Sequence, residues 1–509
     1  MRLADLLAGL SRLADLGFGL PVGEALRTSA LTAVLGRSLE LPDEDVRAGL
    51  YTALLLHAGC VGYAHETARD FGDEHAFNLA AAQTDPTRPQ QLFTTFLPAL
   101  ARERSSLQTV QLTFAMLTRG KRHGQAYVTT VCEVGQNAAR RMGLSDRVQA
   151  SIYHAYEFFG GRGIPDGLRG DDIPLGARVA QVASTACLAD SVGGHDAAVE
   201  VVRERAGRIL DPDVAEHLVE HQDLLEEVRA GDPRDLVLAA EPTPVAQVHG
   251  RQLFEVAEVF GDLADLKSPY THGHSRGVAM LARRAGEQLG CSGPDLEELE
   301  LAGSLHDVGR VAISSAIWDK PGELSAHEWE QVRLHAYHAE RILAGSQELA
   351  PLAQLVGRHH ERLDGSGYHR GSTSADLSRS ARVLATADAY RAMTEPRPHR
   401  PAMDPEQAEH ELRDAASTQQ LDAQAVAAVL AAAGHETKVR RPATAELTDR
   451  EVEVLQLVAD GCSNAQVAER LVISRRTAEH HVQHIYTKLG VSSRAAATLF
   501  AVEHGLLSR

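Results

Sequence analysis

Seven side chains between residues 274 and 388 carry the densest chemistry in this chain: His274, the pair His306-Asp307, His335, the pair His359-His360, and Asp388. Imidazole and carboxylate together suit borderline divalent cations such as iron, manganese or zinc. So many ligating groups exceed the needs of one tetrahedral ion, and they point to two metals sharing a bridging aspartate. With 25 histidines in 509 residues, some pairs arise by chance. The spacing argues otherwise here, because each residue falls in a segment that reads as a helix or a helix end.

These residues sit in longer patterns: HGHSRGVAML from His272, LHDVGR from Leu305, HHERLDGSGY from His359 and ADAYRAMTEPRPHRPAM from Ala387. Over about residues 250–430 the chain resembles the HD-GYP family of metal-dependent phosphohydrolases, typically cyclic di-GMP phosphodiesterases. The resemblance implies that His274, His306, Asp307, His335, His359, His360 and Asp388 ligate two divalent transition metals, iron or manganese foremost. Asp307 would bridge the ions and share the catalytic role with Arg310, and Arg310, Gly367 and Tyr368 would meet the substrate. Tyr270 stands where some relatives carry a glutamate for a third ion, which favours two. Arg310 replaces the family's lysine; it keeps the charge and offers a bidentate fork, but does not release a proton at neutral pH. His369 replaces the proline of the GYP tripeptide, and STSADLS follows Gly371 in place of the usual loop. The ligand set is complete while the substrate-facing segment departs from the family.

The elements that must hold these groups are helices. Ala, Leu, Arg and Glu dominate a chain with only 5% aromatics, a mix that favours helix over sheet. Leu299, Ala302 and Leu305 recur at helical spacing, and segments rich in Gly, Pro and Asp read as loops. A tandem repeat underlies the first 430 residues. ARVAQVAS from Ala177 parallels ARVLATAD from Ala381, and EFFGGRGIPDG from Glu157 parallels ERLDGSGYHRG from Glu361, both displaced by 204 residues. In the first copy His57 is aligned with His306 and Ala58 with Asp307, while Val131, Ala155, Tyr156 and Ser184 replace His335, His359, His360 and Asp388. No divalent cation is held by that remainder. The first copy keeps GIPDGLRGDDIPLGARV, similar to the family's recognition loop, and reads as a structural or dimerising partner. Residues 230–250, with three prolines, read as the join.

After residue 430 the signals change. Thr448 with Glu451, and Ser463 with Gln466, are capping boxes, and Gly461 can end the first of these helices. Ala478, Val482, Ile485 and Leu489 mark the inward face of a third helix, and SRAAATLFAVEHG forms a fourth. From Leu447 to Leu507 the chain resembles the LuxR/NarL C-terminal domain. That resemblance implies a third helix in the major groove, with Glu479, His480 and Gln483 near base edges and Arg475, Arg476, Thr477 and Lys488 on phosphates. Such domains bind double-stranded DNA as dimers, so a homodimer is expected.

Charge is consistent with local DNA contact only. The chain carries −18, yet from Leu447 to Arg509 seven Lys/Arg balance seven Asp/Glu, so the acidity lies upstream. No apolar run reaches membrane-spanning length. Asp5 and Asp15 interrupt the amphipathic N-terminus, and five scattered cysteines fit reduced thiols in the cytoplasm. The expectation is an all-α protein: a degenerate HD-GYP-like domain (1–230), an HD-GYP domain with its full ligand set (250–430), a linker (431–446), and a four-helix LuxR-type helix-turn-helix domain (447–509). Its expected function is transcription regulation coupled to a metal-dependent phosphohydrolase acting on cyclic di-GMP or another phosphoester. The alternative is a non-catalytic transcription factor that senses metal or nucleotide through the same module.

Overall fold

A computed structural model of the chain describes residues 1–102, 105–434, 447–504 and 506–507. Helices account for its regular structure, and no strand forms among the described residues. Helix starts follow local chemistry. Ser292, Ser325 and Asp404 each close a capping box three residues on, and Ser145 and Ser378 accept from the third helical N–H. Among the described residues no helix is long and apolar enough to cross a membrane.

The chain divides into two compact units, Met1–His249 and Gly250–Arg509. In the first, a core of Leu10, Leu31, Leu35, Leu50, Tyr51 and Leu54 is fully buried. Residues 230–249 are packed as the last part of this unit, and the boundary with the second unit falls at the end of the expected join. Asp232 caps a helix at Pro233–Ala240, and the following Glu241 accepts from the Arg2 guanidinium at 2.8 Å and the Tyr51 hydroxyl at 2.8 Å. Pro233, at the first helical position, starts this helix instead of interrupting one.

The tandem repeat is visible as paired helices, with a change of offset. Glu24–Ser38 corresponds to His274–Gln288 and Asp43–Leu55 to Gly293–Leu305, an offset of 250. Farther along, Asp146–Tyr153 corresponds to Ala350–Val356 and Leu175–Gly193 to Arg379–Thr394, an offset of 204. The first copy therefore carries 46 extra residues between these blocks. They form Ala64–Phe71, Glu74–Gln83 and the leading part of Ser106–Arg141, around a separate core of Phe71, Phe77, Phe96, Leu100 and Leu112. A buried aspartate marks the shared ancestry. Asp15 accepts from the Gly23 and Ala25 amides at 2.7 and 2.8 Å, and Asp265 accepts from the Ser275 amide and hydroxyl, both at 2.8 Å.

The second unit contains the other repeat and, at its end, four short helices: Asp449–Ala459, Asn464–Arg470, Arg475–Leu489 and Arg494–Glu503. Their core is Val454, Leu455, Val458, Val467, Ala478, Val482, Ile485, Ala497 and Ala501, with Leu489 partly buried against it. The helix Ala423–Ala433 runs three residues into the segment expected as linker, and residues 435–446 of that linker lie outside the described residues.

Candidate metal centre and nucleic-acid interface

Three helix ends and two helix interiors bring the seven ligand candidates together. His274 is the first residue of its helix, after Gly273 in the left-handed conformation. His306 and Asp307 close the helix Gly293–Leu305, where the chain tightens into the short Val308–Ala312 turn. Gly309 makes that turn possible, because any side chain there would strike the His335 carbonyl. His335 and Asp388 lie inside helices, and His359-His360 follow Ala350–Val356.

The arrangement is two groups of three with an aspartate between them. His274, His306 and Asp388 converge on one side, and His335, His359 and His360 on the other. One Asp307 oxygen (Oδ2) lies 3.5 Å from His274 Nε2 and 3.3 Å from His306 Nε2. The other (Oδ1) lies 3.4 Å from His335 Nε2 and 3.8 Å from His359 Nε2. Asp388 faces His274 at 3.2 Å and His360 at 3.8 Å.

Hydrogen bonds on the far side of each ring fix which nitrogen faces the centre. The Nδ1 atoms of His306, His335 and His359 pair with the backbone carbonyls of Gly303, Val332 and Val356, three residues earlier in each case. A donating Nδ1–H leaves the Nε2 lone pair directed inward. Burial pushes His335 down to about 4 and His359 to about 3, so both rings are neutral donors. Burial opposes charge on Asp307, but Arg310 and His306 outweigh it and hold the carboxyl well below the ordinary range. Burial likewise opposes charge on Asp388, and the adjacent His274 and His306 rings outweigh it and hold the carboxyl well below the ordinary range. His274 Nε2, His306 Nε2 and Asp307 Oδ1 are buried without a hydrogen-bond partner. Such orphaned atoms are costly in a dry interior, and a pair of bound cations removes the cost.

Around this cluster, the Arg310 guanidinium lies over the Trp318 ring at 4.4 Å, with Nε 3.1 Å from Asp307. Tyr368 stacks on His360 at 4.7 Å. Gly367 packs so closely on the Glu361 backbone that a side chain has no room there. His369 is directed to Glu340 and Tyr337. Two further residues of the quoted motif reach the cluster: Glu395, which accepts from His274 Nδ1 at 2.7 Å, and Arg397, 3.3 Å from Glu395. The signal for Glu395 was its spacing, seven residues after Asp388 and so on the same helical face.

The first unit shows what replaces a metal centre. With the offset of 250, Glu24 takes the place of His274, Leu56 that of His306 and His57 that of Asp307, one residue from the alignment expected above. The correction rests on matching glycines: Gly59 approaches the Val131 carbonyl as Gly309 approaches His335. The interior is filled by Phe18, Cys60, Tyr127 and Val131, with Tyr156 against them. His57 meets the Tyr156 hydroxyl at 3.2 Å and the Phe18 ring at 4.2 Å. Among the described residues, groups of three or more ligand side chains occur only in the second unit. The retained loop is folded as in the second copy: Glu157 accepts from the Asp166 amide, and Glu361 from the Arg370 amide.

In the C-terminal helices, Arg475, Arg476, Thr477, Glu479, His480 and Gln483 are exposed along one face of Arg475–Leu489. Arg475 Nε donates to Glu479 at 2.9 Å. Lys488 donates to Glu451 at 2.8 Å, so the capping-box glutamate also holds a cation expected on phosphate.

Fold and cluster together define an HD-type domain joined to a helix-turn-helix. An HD domain model matches residues 258–425, and a model described as bacterial regulatory proteins, luxR family, matches 445–501. The 3'3'-cGAMP-specific phosphodiesterase 3 of Vibrio cholerae is 31% identical over 408 residues, covering 79% of this chain and 88% of that protein. A cyclic di-GMP phosphodiesterase of Thermotoga maritima is 37% identical over 152 residues, 29% of this chain and 41% of that one. The crystal structure of a cyclic GMP-AMP specific phosphodiesterase of V. cholerae superposes with a TM-score of 0.58 at 27% identity, covering 86% of this chain and 99% of its own. The chain belongs to the HD-GYP phosphodiesterase family and carries a C-terminal LuxR-family DNA-binding domain.

Proposed function

We propose that this chain is a transcription regulator that hydrolyses a cyclic dinucleotide at a two-metal centre and binds duplex DNA through its C-terminal helices. The observation that carries the reading is Asp307, whose two oxygens face two separate groups of three ligands. His274, His306 and Asp388 would hold one ion, and His335, His359 and His360 the other, with Asp307 common to both. Iron or manganese in these positions supplies Lewis acidity and a nucleophile active at neutral pH. Arg310, stacked on Trp318 and held to Asp307 through Nε, has a buried Nη1 without a hydrogen-bond partner that it would offer to a phosphate. Tyr368 walls the same side and offers a ring face to a base.

Relatives named for 3'3'-cGAMP and for cyclic di-GMP direct the choice of substrate. The test is anaerobic loading of the full chain with Fe²⁺ or Mn²⁺, followed by chromatographic assay of both dinucleotides. Linear products formed by wild type and lost in Asp307→Asn support hydrolysis. A metal-loaded protein that binds a dinucleotide and leaves it intact supports the sensor reading instead. The arginine in place of lysine at 310 and the orientation of His369 towards Glu340 favour that second reading.

We infer that DNA is bound by two copies in the cytoplasm. Support for pairing comes from the helix Ser106–Arg141, where Leu107 (69%), Val110 (66%), Phe114 (69%) and Leu117 (62%) are exposed at the three-four spacing of a helix-pairing seam. Gln111, Thr113 and Thr118 flank the stripe without charge, and the exposed Arg119, Lys121 and Arg122 lie just beyond its C-terminal end. The stripe belongs to the 46-residue insertion, which has no counterpart in the second repeat.

A further inference from the structure

His274 is oriented differently from the other ligands. His306, His335 and His359 each anchor Nδ1 to a carbonyl one helical turn back. His274 opens its helix, and the Thr271 carbonyl three residues earlier already accepts from its own amide. Its Nδ1 turns instead to Glu395, 121 residues away in sequence and buried after the helix Arg379–Thr394. The Glu395 carboxylate is shared: Arg391 lies 2.7 Å from Oε1 and Arg397 lies 3.3 Å from Oε2.

Arg397 extends this junction outward. Its second nitrogen donates to the Tyr270 carbonyl at 3.0 Å, fixing the loop between Asp265 and His274. The DNA-binding helices rest on that loop. At Gly461, in the turn between Asp449–Ala459 and Asn464–Arg470, a Cβ would come within 2.7 Å of Pro269, and its φ of +78° suits glycine. Val502 of the last helix approaches Gly273, the residue before His274. Arg475, Glu479, His480 and Gln483 stay exposed in this arrangement.

We propose that Glu395 is a positioning residue that sets the ring of His274 for metal and, through Arg397 and Tyr270, holds the loop on which the DNA-binding helices sit. Metal binding and DNA binding then share one carboxylate, and each must alter the affinity of the other by the same factor. The inference rests on the two-metal reading above and adds the coupling to it.

The experiment uses the full chain. Mn²⁺ binding is titrated against a competing chelator, and a labelled random-sequence duplex is titrated at low salt with and without Mn²⁺. Wild type binds two Mn²⁺, and its duplex affinity shifts several-fold on loading; the shift disappears in Asp307→Ala, which excludes a direct effect of Mn²⁺ on DNA. Glu395→Gln weakens Mn²⁺ binding by about 10–100-fold, the range for loss of an outer partner of a ligating histidine. Its metal-free melting temperature stays near wild type, and Glu395→Asp recovers part of the affinity, which a merely structural role does not give. Arg397→Met keeps two Mn²⁺ and loses the Mn²⁺ dependence of duplex affinity, a readout that remains should Glu395→Gln fail to fold. Wild-type protein that takes up no metal overturns the two-metal reading itself. Metal-loaded wild type with unshifted duplex affinity, or Glu395→Gln with unchanged Mn²⁺ affinity, overturns the coupling alone.

Discussion

At Asp307 two neighbouring oxygens face two ligand groups, so a single substitution would remove a ligand from both proposed ions. Elemental analysis of anaerobically purified wild type is expected to give about two transition-metal ions per chain, and Asp307→Ala less than about half of one. Substituting His57, its counterpart in the first repeat, leaves the metal content unchanged. His57 has a different signature. Burial lowers it to about 4, below the ordinary value of about 6.5, so the unfolded chain takes up the proton first. Stability contributed by the neutral buried ring is full above pH 6.5 and is lost as pH falls towards 4. Between pH 7 and pH 5 this costs about 1–2 kcal/mol. Denaturant titrations at both pH values should show a smaller drop for His57→Leu than for wild type; an equal drop would place the ring in water.

Among the elements, the helix Arg475–Leu489 has its apolar side against Val454 and Val467 and its polar side open. Its cations are not equivalent. Arg475 is tied only to Glu479 one turn along, whereas Lys488 is bound to a capping-box glutamate. Arg475→Ala with Arg476→Ala should weaken binding to every duplex and lower the salt slope by about two, one for each phosphate contact. Lys488→Ala should lower the domain's melting temperature more than its DNA affinity. Gln483→Ala should relax preference at one base pair at a cost of about 1–3 kcal/mol on the preferred site. Filter-binding series at several salt concentrations separate these outcomes, and an unchanged slope in the double arginine variant removes this helix from the DNA face.

For the whole molecule, a net charge of −18 outside a neutral DNA-binding segment means that affinity must come from pairing and local contacts rather than from the overall field. The stripe on Ser106–Arg141 is where pairing is expected. Leu107→Glu with Leu117→Glu places like charges along the seam and should convert a dimer to a monomer in sedimentation equilibrium while leaving the metal content intact. The same variant should lose cooperative binding to a two-half-site duplex. A wild type that sediments as a monomer at all concentrations, or a variant that remains dimeric, assigns the stripe another role.

The candidate metal ligands and the DNA-binding helices are legible in the amino-acid sequence because their signals are short-range. HHERLDGSGY and LHDVGR place ligands within a turn of one another, and the Thr448/Glu451 and Ser463/Gln466 boxes are hydrogen bonds closed within three residues. The grouping of the seven ligands into two sets of three, and the division of Asp307 between them, depend on five segments meeting in space. Three further features needed tertiary structure for the same reason. The 46-residue insertion changes the repeat offset from 250 before it to 204 after it, so the displacement read from the later motifs does not align the earlier block, where the backbone puts His57 at Asp307. Glu395 reaches His274 across 121 residues, and Lys488 reaches Glu451 across 37. Local pattern encodes which groups a helix end presents; which of them face each other is decided by packing, where a glycine such as Gly309 or Gly59 lets two backbones approach closely.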